Sequence, residues 1–454
     1  MSRLRALRSP PAALLGAVLV LAALHMLVFD RGLGGDGWAP FATLESLVDD
    51  GDLWLEDDHR GVMNGLVGSP GGHLVSQYPP GILVLDAVPF FAGRALDALL
   101  PEGLLAGGVE LPPAGRVPRG VFFSAAAIVL ARNAATLLGL LWTGLALRRI
   151  GVPGGRAAAA VALTFFGGPL LFYSLVGMTH APTFALAALL LLLLVRWRAA
   201  PSLRLALAAG VVVGGAVLVR YSAIALLPAA ALALLPCSRE RRSWSGLPAF
   251  AAGFAVPLLP LPFWWHASFG SWTPPPYGGR WEISLASPWN VLFAPVHGLF
   301  LFHPALALAA AGLLWMAGRE LARRSPGWGT LGAVWFLTVA VLHGWWSEWA
   351  NTGGYGQRFL IDALPALALG FAAWPRAEPR DRGAWRWGPA LAAALFGYLL
   401  FLGAVTELAP APEPYPWPQR LGDYAALVRH PPGPGAIREG LGEASFLLRP
   451  LLSR

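Results

Sequence analysis

The sequence predicts an all-α fold, a polytopic bundle of transmembrane helices, on three observations. Apolar residues make up 56% of the 454-residue chain and charged residues only 13%, too few to cover a water-soluble protein of this length. Apolar runs of spanning length recur from one end to the other, so the chain does not divide into soluble domains as its length alone would suggest. The basic residues, all arginine, stand in short clusters between those runs rather than on one domain. That is the pattern of topology signals and not of a nucleic-acid surface. Exclusive use of arginine beside abundant Ala, Gly and Pro fits the codon usage of a GC-rich bacterial genome. Cys237 is the only cysteine, which excludes an intramolecular disulfide and a cysteine-based metal cluster.

A bilayer core of about 30 Å needs roughly 20 apolar helical residues. The runs that qualify are 11–29, 128–147, 156–174, 181–196, 204–219, 221–236, 247–266, 296–317, 327–345, 358–374 and 388–406. The first follows Arg3, Arg5 and Arg8 and ends in LHMLVFD without a small-residue cleavage pattern, so it reads as a retained anchor. Residues 81–100 are apolar too, but carry Asp86, Arg94 and Asp97 on one side of a helix. Burying those charges in lipid costs several kcal/mol, whereas an amphipathic helix lying in the outer interface carries no such cost.

Parity decides between these readings. If 81–100 does not span, the clusters Arg3/Arg5/Arg8, Arg148/Arg149/Arg156, Arg196/Arg198/Arg204, Arg239/Arg241/Arg242, Arg319/Arg323/Arg324 and Arg376/Arg380/Arg382/Arg386 all fall on the cytoplasmic side. If it does span, every cluster after the first lands outside. The expected architecture is therefore about eleven spans with a cytoplasmic N-terminus in a bacterial inner membrane. A long first extracytoplasmic loop, about 30–127, carries the interfacial helix, and a Pro-rich tail, 407–454, lies outside. Counting back from Leu147 at 1.5 Å per residue puts Arg132 near the outer interface, where it need not be a buried charge.

The outer loops hold the residue types that carry chemistry. Asp36, between glycines and a few residues past the first membrane exit, is held where the head of a lipid-linked substrate lies. The other first-loop acids, Asp49, Asp50, Asp52, Glu56, Asp57 and Asp58, read as solvated surface. Arg358, in GGYGQRFL, stands at the outer end of a span with Glu348 and Asn351 just before it. Arginine suits phosphate because its fork donates two hydrogen bonds. Arg132 and Arg220 occupy similar outer positions, and Arg280 lies in the 267–295 loop. His180, in THAP, serves either as a phosphate or proton-transfer group or as a polar residue at a helix start. Tyr78, before Pro79 and Pro80, either meets a ligand or fixes the loop. The clusters WWSEWAN and FGSWTPPPYGGRWE suit sugar stacking, but also the aromatic belt of any membrane protein, which is the simpler reading. There is no P-loop, dinucleotide fingerprint or HExxH pattern, which argues against a nucleotide-driven pump or kinase.

In order and spacing, GDGWAPFATLESLVDDGDL, SQYPPGILVLDAVPFF, ARNAATLLGLLWTGLALRRIG, FYSLVGMTHAPTFALAALLLL, HGLFLFHPALALAAAGLL and GGYGQRFLIDALPAL resemble the bacterial GT-C-type integral membrane glycosyltransferases. That group contains protein O-mannosyltransferases and aminoarabinose transferases. The resemblance extends over most of residues 30–370 and implies a GT-C-like domain over 1–406, with short helices lying on the membrane in its first loop. It further implies a polyprenyl-phosphate-linked sugar donor, a lipid, glycan or protein acceptor, inverting transfer on the outer face, and the family's first-loop acid on Asp36. Two departures stand out: Gly37 follows Asp36 where many relatives have a second acid, and His180 occupies the second external turn. A metal-bridging acid pair is therefore not carried over, and a divalent metal is left open. The rival readings are a transporter or flippase of lipid-linked glycans, which predicts ionisable residues deep inside spans, and a catalytically inactive relative acting as an assembly partner.

Overall fold

The computed structural model describes residues 10–29, 32–55, 65–99, 109–111, 115–117, 122–235, 246–273, 281–294, 297–350 and 357–373. Within them helices dominate, and the strands are two short hairpins, β1 (Leu66–Gly68) with β2 (Leu74–Ser76) and β3 (Val109–Leu111) with β4 (Gly115–Val117). The expected span 388–406, the tail from 407, Cys237 and Arg280 lie outside the described residues.

Among the described residues, four helices are long and apolar enough to cross a membrane, and five shorter apolar helices accompany them. Their number and apolar character are those of a multi-pass membrane bundle. Helix α1 (Pro10–Phe29) buries Ala22 and Met26 while Leu14, Val20, Leu21 and Leu24 stay exposed. Such a face is stable against hydrocarbon and not against water. Helices α2 (Gly35–Asp49) and α3 (Gly81–Leu99) belong to the first loop. Helix α4 (Phe122–Arg149) ends on Arg148 and Arg149, and Gly151, at φ 91°, turns the chain into α5 (Gly154–Phe166). Gly167, Gly168 and Pro169 break the run expected over 156–174, which resumes only as the single turn α6 (Leu170–Tyr173).

Helix α7 (His180–Ala199) is central and buried along most of its length. It is followed by α8 (Leu203–Val219), α9 (Leu227–Leu234), α10 (Gly246–Leu258) and α11 (Leu261–Phe269). Then come α12 (Ala286–Phe293), α13 (Leu299–Phe302), α14 (Pro304–Ala322), α15 (Trp328–Gly344) and α16 (Leu364–Ala373). Two expected spans open not as α-helix but as 3-10 turns, Tyr221–Leu226 before α9 and Arg358–Ala363 before α16. In each case a proline, Pro228 or Pro365, sits in the first helical turn that follows, where its missing N–H costs nothing.

The arginine-bearing turns gather at one end of the bundle. Arg198, at the end of α7, lies 4.9 Å from the Trp328 ring that starts α15. The α4–α5 turn shares a cavity with Arg319 and with Ala373 at the end of α16. His180, Arg220 and Arg358 stand at the other end of their helices.

Helix α3 touches the bundle toward that other end only. Gly81 packs on Leu218 and Val219, and Gly93 on Phe123 and Ser124. Its charged residues are paired with protein groups, Asp86 buried and Arg94 still partly exposed. Asp86 pairs with Arg132, Arg94 with Asp49 and, at 3.9 Å, Glu45. Asp97 accepts the Phe123 and Ser124 amide hydrogens at 2.9 and 3.0 Å. Val84, Leu85, Val88, Phe91, Leu96 and Leu99 point outward instead. Charges satisfied by protein neighbours cost far less than unpaired ones, and the apolar face is left for the membrane.

Candidate functional site

The start of α2 is fastened to the corner between α6 and α7. The Gly34 amide donates to Val176 O at 2.6 Å, and a Cβ on Gly37 would stand 2.5 Å from Gly177 O and 3.1 Å from Arg132 Nη1. Glycine is required there for close approach of two backbones, which explains Gly34 and Gly37 without chemistry. The same approach points the Asp36 carboxylate at Arg358, with Oδ2 and Nη1 3.0 Å apart and each side chain about 15% exposed (15% and 14%).

Arg358 opens its 3-10 turn. Gln357, fully buried, caps that turn by accepting the Phe359 amide hydrogen at 3.3 Å and donates Nε2–H to Trp349 O at 3.4 Å. The Arg358 guanidinium lies 5.2 Å from the Phe359 ring centroid and 3.8 Å from the Met178 sulfur. The Arg220 guanidinium lies 5.2 Å from the same ring. Two cations thus share one aromatic ring, which His343 stacks at 5.4 Å.

Arg220 is placed by the end of α8, where extended backbone separates the helix from the next 3-10 turn. Its Nη1 is 2.7 Å from His180 Nδ1. Arginine only donates, so Nδ1 accepts and the ring proton sits on Nε2. His180 is the first residue of α7, as the helix-start reading expects, and is also tied to a site arginine. Tyr173 meets its ring edge at 5.2 Å. Asp362, 1% exposed and one turn beyond Arg358, lies in the buried layer below.

The structure therefore brings together Asp36, Arg358, Arg220 and His180. Arg132 differs from its expected interfacial position. It is 1% exposed, bound by Nη2 and Nε (3.3 Å to Oδ1) to Asp86, while Nη1 donates to Gly177 O. It forms the floor beneath α2 rather than an open fork, because the polar stripe of α3 folds inward over it. Burial pushes the Asp86 carboxyl up from its ordinary range, against the pull of the Arg132 guanidinium. Tyr78 is buried in the apolar cluster with Trp38, Phe41 and Ile82, its ring against Gly65, whose φ is 81°. Glu348 belongs to the turn Ser347–Ala350, and its side chain is outside the described residues. The two aromatic loops pair with each other through a Trp281–Trp346 bridge and a Trp345 Nε1–H to Ser284 O bond of 2.9 Å.

Sequence reasoning missed Asp86, Gln357, Phe359 and Asp362. Asp362 and Asp86 each carried a readable signal, an acid inside an apolar run; the partners that give Asp86 and Phe359 their roles, Arg132 and Arg220, are distant in sequence, whereas Gln357 acts on its own turn. Among the described residues, no group of three His, Cys, Asp or Glu side chains is arranged to hold a metal ion.

The helical bundle, with the first-loop helices packed against one end, has a fold found in solved structures. Two crystal structures of ArnT from Cupriavidus metallidurans share it. The form bound to undecaprenyl phosphate matches with a TM-score of 0.52 at 16% identity, over 97% of this chain and 77% of that one. The apo form matches with a TM-score of 0.52 at 17% identity, over 98% and 75%. No family model matches the sequence, and no curated protein matches it.

Proposed function

We propose that this protein is an inverting GT-C-type glycosyltransferase that moves a sugar from a polyprenyl-phosphate carrier to an acceptor hydroxyl on the extracytoplasmic face. The observation that carries the reading is the 3.0 Å approach of Asp36 to Arg358, with Arg220 over the same Phe359 ring as Arg358 and His180 bonded to Arg220. A carboxylate and two guanidiniums meet the two needs of this reaction. The acceptor oxygen forms a bond to the anomeric carbon and gives its proton to Asp36. The bond from that carbon to the phosphate oxygen breaks, and the electron pair leaves on the phosphate, where Arg358 and Arg220 offset the charge. His180 holds Arg220 in place and presents Nε2–H. Undecaprenyl phosphate, present in one ArnT structure, is the carrier class such a site fits.

On this reading the chain crosses the membrane eleven times, with 388–406 as the last span, α3 resting in the outer interface and the arginine-rich end in the cytoplasm. Residues 1–406 form the transmembrane domain and 407–454 an external tail. Among the described residues, the buried ionisable groups His180, Arg220, His343 and Asp362 lie at the site end of their helices, which favours an enzyme over a flippase. The test is transfer from a polyprenyl-phosphate sugar by reconstituted protein. Asp36→Asn should lose about 10²- to 10⁴-fold in turnover, the usual range for a general base. Unchanged turnover in folded protein refutes the role of Asp36. Carrier binding without transfer by the wild type assigns the chain to the inactive partners.

A further inference from the structure

At the opposite end of the bundle lies a cavity of about 460 Å3 between the α4–α5 turn, α14, the start of α15 and the end of α16. Arg156 and Arg319 line it, with Trp315 and Trp328. Arg319 lies over the Trp315 ring at 4.8 Å, and Trp328 carries Arg198 at 4.9 Å. The one acid in the lining, Glu320, is committed elsewhere. Its oxygens accept from the amides of Gly327 (2.8 Å), Gly329 (3.0 Å) and Thr330 (2.7 Å), and from the Thr330 hydroxyl at 2.9 Å. That carboxylate is turned onto the N-terminus of α15, where the helix dipole offsets it. The first turn of α5, which contains Arg156, has no side-chain cap. The cavity thus presents two guanidiniums and an uncapped helix start, framed by tryptophans of the kind that settle at a headgroup layer.

We infer that this cavity is an anion site for a phosphate headgroup, filled by a phosphodiester of an anionic membrane lipid. Arg156 and Arg319 grip the phosphate, and Trp315 and Trp328 flank the glycerol. The site is remote from Asp36 and stands whether or not the protein transfers sugar.

The test uses full-length protein in nanodiscs of phosphatidylcholine, alone or doped with phosphatidylglycerol, and follows the unfolding temperature as the anionic lipid is titrated. The wild type should be stabilised saturably. Arg156→Gln with Arg319→Gln should weaken the apparent affinity roughly tenfold or more per arginine. Arg323→Gln with Arg324→Gln, on the same turn but outside the lining, should leave it unchanged. Equal unfolding temperatures in pure phosphatidylcholine show that all variants fold. Glycerol 3-phosphate added to phosphatidylcholine discs separates the sources: a saturable rise there assigns the site to a soluble phosphate. Loss of the effect in the Arg323/Arg324 variant as well as in the cavity variant, or no rise in the wild type with either ligand, overturns the inference.

Discussion

In the ligand-free protein the proposed base and the proposed phosphate ligand hold each other, so a lipid phosphate must compete with Asp36 for Arg358. Removing the competitor should tighten binding of the carrier even as it slows transfer by about 10²- to 10⁴-fold. Coulomb attraction between unit charges 4 Å apart is about 4 kcal/mol at an effective dielectric of 20. The Asp36–Arg358 pair is about 15% exposed on each side (15% and 14%). Its net worth lies between the ~1 kcal/mol of exposed pairs and the ~3–5 kcal/mol lost when a buried pair is broken. If binding gives up about 1–2 kcal/mol of that pairing, Asp36→Asn lowers the Kd for undecaprenyl phosphate by roughly 5- to 30-fold. The carboxylate's repulsion of the incoming phosphate disappears as well, in the same direction. The assay is a titration of undecaprenyl phosphate into wild type and variant in the same nanodiscs, read by calorimetry, beside turnover with the sugar donor. Weaker or unchanged carrier binding in a folded Asp36→Asn protein refutes the competition.

Other predictions follow from the surrounding geometry. Arg358→Ala should weaken carrier binding at least tenfold, the loss expected from one charge-assisted contact, in the same titration. Arg132→Ala strands Asp86 in the interior and should cost about 3–5 kcal/mol of stability, read as a fall in unfolding temperature. Arg132→Met with Asp86→Leu should recover much of that loss. Gly37→Ala drives a Cβ into Gly177 O and should reduce kcat through displacement of Asp36, by as much as about 10²-fold for a shift near 1 Å. Gly151→Ala is the control: its φ of 91° strains the turn, but nothing stands within 4 Å, so only unfolding temperature should fall and transfer should persist.

The apolar helices were legible because hydropathy over 20 residues is a strong signal, and ten of the eleven expected runs fall on helical segments of the described chain. Their interruptions were written more faintly. Gly167-Gly168-Pro169 is an ordinary breaker that the apolar average concealed, and the 3-10 turns at Tyr221 and Arg358 were visible only as arginine, aromatic and a later proline. Asp36, His180 and Arg358 stood out in the sequence by residue type at the end of an apolar run. Their convergence did not, since no local pattern tells residue 36 that its partner is residue 358.

The charges of α3 show why the site's supports were harder to read than its chemistry. Weighing lipid against water as the surroundings of Asp86 leaves out a third solvent, the protein itself, in the form of Arg132 from α4. A helix that keeps its charges toward the protein and its leucines and valines outward still offers its apolar face to the membrane, but protein in place of water covers much of its polar face. That cover has a chemical consequence. Asp86 anchors Arg132, Arg132 holds Gly177 O, and Gly177 receives the glycine-lined start of α2 on which Asp36 is carried. The position of the carboxylate is therefore set by buried electrostatics one layer below it. Changes in that layer should reach transfer through geometry, while the groups that touch substrate stay the same.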